Sequence, residues 1–225
     1  MHTNVLRLKA LLRADVWVHM YARSLALGVL FAVLAIPMPA QASHHQKYSK
    51  LSESCTLPHP PQTTVALNSG QAIVDFSPGG DGEKLILQAI DAAQHTILVQ
   101  AYSFTDRRII TALVKARTRG VEVRVILDKT DAQPYEGHAP VASVISAEQI
   151  PVWIDDSVHI AHNKVMIIDG KDLITGSYNF TYSADYDNAE NLLVIRNAPE
   201  LIEAYIDNWK WRQSCSQPYR GRPSN

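Results

Sequence analysis

Residues 159–179 leave the chain little choice of local structure. Residues 165–168 are a short, mostly β-branched apolar run, Asp169-Gly170 is a hairpin-turn pair, and residues 173–175 start a return strand. Side chains two apart on a strand point the same way, so His162 and Lys164 share a face, and Ser177 and Asn179 repeat that spacing after the turn. An imidazole, an ammonium and an amide can then converge on one anion. The lysine offers a point charge, the asparagine two N–H donors, and the histidine a nucleophile or proton carrier, a set suited to a phosphodiester.

Around this hairpin, strand and helix patterns alternate from Gln71 onward, which is the mark of an α/β layer fold. Residues 73–76 read as a strand and 77–80 as a turn. In 81–93, Leu85, Ile86, Ala89, Ile90 and Ala93 fall on one helical face. A strand over 96–102 precedes a helix over 106–119 that stops at Gly120. Then come an alternating strand at 121–127, a short helix at 140–147 and a strand at 150–154. After the hairpin, 190–195 is a strand and 199–211 a closing helix, with Pro199 in its first turn and Leu201, Ile202, Tyr205, Ile206 and Trp209 on its buried side. The expected architecture is one α/β domain over residues 67–215, a mixed, mostly parallel sheet with helices on both sides. The tail 216–225, with Pro218, Gly221 and Pro223, reads as loose. A length of 225 residues at 46% hydrophobic suffices for one such core.

The N-terminal part is read as a targeting segment. Residues 24–35 are mostly apolar, Arg23 precedes them, and Ala40-Gln41-Ala42 is an A-x-A cleavage site, so residues 1–42 read as a secretory signal peptide. The apolar run is shorter than the ~20 residues that span a bilayer, so no membrane anchor is expected after cleavage. Met20 is an alternative start. Residues 43–66, rich in Pro, Ser and His, read as an arm in which His44-His45 is a polar end rather than a metal site. Export places the protein in the periplasm or outside the cell, where oxidation favours a Cys55–Cys215 bond over two free thiols or a cross-link between subunits. Zinc is disfavoured, since neither cysteine has a second one nearby.

Written as a pattern, His162, Lys164, Asp169, Gly176, Ser177 and Asn179 form H-x-K-x4-D-x6-G-S-x-N. This resembles the motif of the phospholipase D superfamily at every fixed position. The segment 188–195 resembles the part of the Nuc-type bacterial endonucleases that supplies a glutamate bonded to the histidine, here Glu190. The likeness runs from about Gln71 to Trp211, and it implies the phospholipase D-like fold. It also implies two copies of the motif facing each other across a twofold axis, one histidine forming a phosphohistidine and the other protonating the leaving group. This chain carries one copy and no internal repeat, so a symmetric homodimer sharing its active site is expected. His162 would be nucleophile in one subunit and general acid in the other. Lys164 and Asn179 would hold the phosphate with Ser177 and the Gly176 backbone alongside, and Glu190 would fix the His162 tautomer. Asp169, part of the motif, is given a structural or orienting role because Asp is common at turns. No cofactor or metal is called for, since the lysines provide the charge.

Competing readings are weaker. His159 and His162 beside Asp155 and Asp156 could suggest a metal set, but a spacing of three puts the two histidines on opposite faces of a strand. A serine hydrolase built on Ser177 lacks the G-x-S-x-G elbow. A non-catalytic binding module would be expected to have lost part of the set. For substrate, removing residues 1–42 takes away four basic residues (Arg7, Lys9, Arg13, Arg23) and one acidic (Asp15), leaving 17 Lys+Arg against 21 Asp+Glu, a net of −4. That argues mildly against DNA, while Arg107, Arg108, Lys115, Arg117 and Arg119 gather on one helix. The small single-motif pattern resembles the Nuc-type endonucleases, so nucleic acid is the first substrate expected and a phospholipid head group the alternative.

Overall fold

The computed structural model describes residues 55–60, 62–65, 70–134 and 137–221. The signal peptide, His44-His45 and most of the arm lie outside the described residues. The elements in order are β1 (Gln71–Ser77), α1 (Gly82–Ala92), β2 (Thr96–Ala101), α2 (Arg107–Thr118), β3 (Glu122–Asp128), a 3-10 turn (Lys129–Ala132), α3 (Val141–Ala147) and β4 (Val152–Asp155). These are followed by β5 (Lys164–Ile168), β6 (Asp172–Gly176), α4 (Tyr182–Tyr186), β7 (Glu190–Arg196), α5 (Pro199–Cys215) and β8 (Gln217–Pro218). Each strand and helix read from the sequence is present within a few residues, because periodicity marks an element better than it marks its ends.

The strands form one sheet in the order β1-β7-β6-β5-β2-β3-β4-β8. The sheet is mixed, as expected, but not mostly parallel. Only β2–β3 and β3–β4 pair in parallel, and every other pairing is antiparallel. The reason lies in the connections. Parallel neighbours need a crossover of a dozen or more residues, as α2 and α3 provide, whereas β5 turns directly into β6. A second correction concerns the tail. Residues 217–218 add an edge strand to β4, and the Tyr219 N–H donates to the Val152 carbonyl at 2.8 Å. Pro218 has no N–H to contribute, which an edge strand tolerates.

Helices cover both faces. On one face Ile86, Ile90, Ile109 and Leu113 of α1 and α2 pack on Ile97, Val99, Val123 and Met166. On the other, Ile202 and Trp209 of α5 pack on Ile126, Val165, Ile167 and Leu173. The buried Trp209 indole N–H donates to the Val99 carbonyl at 3.0 Å, so the large ring is buried without an orphaned donor. The described part of the arm meets α5. The Thr56 N–H donates to the Ser214 carbonyl, the His59 ring lies 4.3 Å from that of Trp211, and Cys55 is bonded to Cys215. Among the described residues no helix is long and apolar enough to cross a membrane.

The β5–β6 turn is pinned from outside. Asp169 and Gly170 both have positive φ, as the tight turns that join twisted strands require. The Asp169 carboxylate accepts from the backbone N–H groups of Gln94, His95 and Thr96 at 2.9, 2.7 and 2.8 Å, so the turn also caps the start of β2. Burial works against its charge, yet these donors outweigh it and hold the carboxyl below the usual range. A depressed pKa contributes stability above the unfolded-state value that is lost as pH falls through the folded one. Asp169→Asn is therefore expected to lower unfolding free energy by about 1–3 kcal/mol at pH 7, with the gap to wild type closing below about pH 4 in urea titrations. Serine at both Cys55 and Cys215 is expected to cost a further 2–5 kcal/mol or so by the same measurement.

Candidate active site

Strands β1, β2, β3, β4 and β6 end, and β5 and β7 begin, along one edge of the sheet, so their terminal residues gather there. In α/β sheets the edge beyond the carboxyl ends of parallel strands is where ligand sites form. His162 stands two residues before β5 and is exposed. Lys164, the first residue of β5, is only 6% exposed, and its Nζ donates to the His162 carbonyl at 3.0 Å. Burial pushes the Lys164 ammonium down to about 8, against the attraction of the Glu190 carboxylate.

The second half of the hairpin delivers the amide side. Val165 pairs with Thr175, so the register carries Gly176 alongside Lys164. Gly176 has φ +149, and a Cβ there would run into the Asn191 carbonyl, so this position needs glycine for close approach to β7 rather than for phosphate alone. Asn179 Oδ1 is buried without a hydrogen-bond partner, which leaves an amide available to a ligand at this edge.

Two expected roles are corrected. Asp169, placed by its motif with the catalytic residues, sits at the opposite end of β5 from Lys164, roughly 16 Å away at the rise of a strand. Its part is the turn described above. Glu190, expected to bond His162, instead accepts from Ser177 Oγ at 2.6 Å and from Asn188 Nδ2 at 3.2 Å. The cause is register: Gly176 pairs with Leu192, so Ser177 lies across from the start of β7, and its Oγ also accepts from the Asn191 N–H at 3.0 Å. Ser177 is thus a clasp between two strand ends. Asp155 is held by Arg212, whose Nε donates at 2.7 Å, and by Ser157, so it joins no metal set with His159 and His162. Among the described residues no group of three or more His, Cys, Asp or Glu is gathered closely enough to hold a metal ion.

Tyr102, read from the sequence only as the end of a strand, faces the histidine: the two ring centroids are 4.8 Å apart, and Lys164 Nζ lies 5.1 Å from the Tyr102 ring. The Tyr102 N–H donates to the Asn163 carbonyl at 3.0 Å, extending the β2–β5 ladder into the site. Asp128 and Asp131 were also passed over. The first accepts from the Ala161 N–H at 2.7 Å, directly before His162. The available clue was position, since all three follow or end the parallel strands β2 and β3. The basic cluster is partly tied up within the chain. Arg108 pairs with Glu83, Arg119 donates to the Ile90 carbonyl, and Arg117 donates to Gln149.

Three comparisons bear on this geometry. A family model described as "Cardiolipin synthase, PLD-like domain" matches residues 86–212, which include His162, Lys164, Asp169, Asn179 and Glu190. The Phospholipase D of Rickettsia prowazekii (strain Madrid E) is 42% identical over 146 residues, 63% of this chain and 67% of that protein. The crystal structure of Nuc, a phospholipase D family member from Salmonella typhimurium, matches with a TM-score of 0.63 at 37% identity, covering 68% of this chain and 100% of the other. NucT from Helicobacter pylori shares the fold, with a TM-score of 0.58 at 21% identity over 67% of this chain and 100% of its own. With its motif placed around the edge of a sheet built in the same way, the chain belongs to the phospholipase D superfamily of phosphodiester hydrolases.

Proposed function

We propose that this protein is an exported endonuclease that hydrolyses DNA, and RNA by the same chemistry, through a phosphohistidine on His162 at a site shared by two copies of the chain. The observation that carries the reading is the pairing of an exposed imidazole with a buried ammonium at one sheet edge. His162 Nε2 or Nδ1 attacks phosphorus while a second His162, from the partner, protonates the departing oxygen. Water then hydrolyses the phosphohistidine. Lys164 and Asn179 hold the non-bridging oxygens, and poor solvation of Lys164 in the free protein makes an incoming anion a better partner than water. One chain has one such histidine, so the homodimer is part of the mechanism. The likeness to Nuc supports nucleic acid as substrate. The Cys55–Cys215 bond suits an oxidising compartment, in keeping with export to the periplasm or beyond.

A second reading, cleavage of phosphatidyl head groups, is favoured by the name of the Rickettsia relative. The two separate in one assay of residues 43–225 on plasmid DNA and on phosphatidylcholine vesicles, each with excess EDTA. DNA cleavage that persists in EDTA, and falls by about 10³-fold or more in His162→Ala, is the expected result. Choline release with the plasmid intact would transfer the assignment to the phospholipid.

The lysine sets an alkaline limit. Its folded-state pKa is lowered, so charge on the free protein is lost as pH rises through about 8. Substrate affinity is accordingly expected to weaken above that pH, read as a rise in KM, and Lys164→Arg is expected to move that rise to higher pH. Sedimentation of the active species is expected to give twice the chain mass.

A further inference from the structure

Two buried carboxylates that the proposed reaction does not use stand three residues apart at the end of β3. Asp128 is 0% exposed and Asp131 is 7% exposed. Each grips backbone rather than a side-chain cation, and they grip opposite walls of the site. Asp128 takes the N–H of Ala161, next to His162. Asp131 takes the N–H groups of Ser103 and Phe104 at 3.2 Å each, next to Tyr102. Ser103 has φ +56, a left-handed conformation that a serine holds only when its surroundings impose it. The two Asp131 bonds are the imposing contacts on that segment. The consequence of the bend is the Tyr102 ring, turned to face both the His162 imidazole and the Lys164 ammonium.

We propose that Asp131 is a positioning residue for His162: by clamping the Ser103 and Phe104 amides, it fixes the Tyr102 ring against the imidazole and so selects the ring orientation from which His162 reacts. This rests on the role given to His162 above. The device is mechanical. An imidazole exposed on a loop has rotamer freedom to lose, and a fixed aromatic wall removes it before substrate arrives. Desolvation also raises the Asp131 carboxyl, to about 6, which marks it as a buried charge retained with no cation bonded to it.

The test is a double-mutant cycle on the purified chain with bis(p-nitrophenyl) phosphate as substrate, together with the chemical shift of the His162 ring protons at one fixed pH. Asp131→Asn and Tyr102→Leu are each expected to lower kcat by about ten- to a hundredfold with little change in KM. The double variant should be no worse than the poorer single, because both changes remove one arrangement. Tyr102→Phe, which retains the ring, should restore most of kcat. The His162 resonance should move in the same direction in Asp131→Asn and Tyr102→Leu, since both displace the ring current. Additive losses, full kcat in Asp131→Asn, or an unmoved His162 resonance would overturn the proposal. If Asp131→Asn does not fold, Asp131→Glu shifts the grip by one methylene with the charge intact; it should show the same kcat loss and resonance shift, and wild-type values would equally overturn it. If the wild type turns over no phosphodiester, the reaction assigned to His162 fails, and the resonances alone still decide the positioning role.

Discussion

Strand β5 hydrogen-bonds to β2 along one edge and to β6 along the other, and all five of its residues are buried. Its side chains therefore have to serve both faces at once, Val165 and Ile167 toward α5, Met166 and Ile168 toward α1 and α2. A slip of one residue in either ladder would exchange those faces, so the packing holds the register. With the register held, Lys164 has one place to be, at the last position before the strand leaves the sheet. The hairpin turn closes the other end, where Asp169 ties β5 to the start of β2 through three backbone donors.

Polar groups then do at the sheet edge what apolar packing does inside. Asp128, Asp131, Asp155, Ser177 and Glu190 all hold neighbouring segments, four of them by way of backbone N–H groups or loop side chains and one by way of a strand-end hydroxyl. Carboxylates suit this because a loop entering a site leaves N–H groups without strand partners, and a charged acceptor satisfies them strongly. The loop 156–163 illustrates it. Asp155 and Arg212 anchor its start, Lys129 donates to the Val158 carbonyl, Asp128 takes Ala161, and His162 follows with its ring in solvent. A rigid lead into an exposed reactive side chain is the arrangement expected where function requires one group to be accessible and placed.

The elements and the family were legible because their signals are local. Period-two and period-3.6 patterns marked β2, α1, α2, β3 and α5, and six fixed positions in 162–179 sufficed to name the superfamily. The sheet's direction was not legible in the same way, since nothing within a strand records which neighbour it pairs with, and the mostly parallel expectation gave way to a mixed sheet with two parallel pairings. The tail failed for a related reason: Gln217 and Pro218 carry no strand pattern of their own and become a strand only because β4 offers a free edge.

By itself the sequence determined which chemical groups are present and which lie within a few residues of one another: the His162–Lys164 pair, the tight turn at Asp169-Gly170, the glycine needed at position 176. Tertiary structure decided which of these meet. It carried Asp169 to the far end of β5, bonded Glu190 to Ser177 and Asn188 rather than to His162, and brought Tyr102, Asp128 and Asp131 to the site from strands 30 to 60 residues earlier. The physical reason is that spacing along a strand places side chains on a face, whereas the contacts a side chain makes depend on the register and order of the strands beside it, which are settled by burial across the whole sheet.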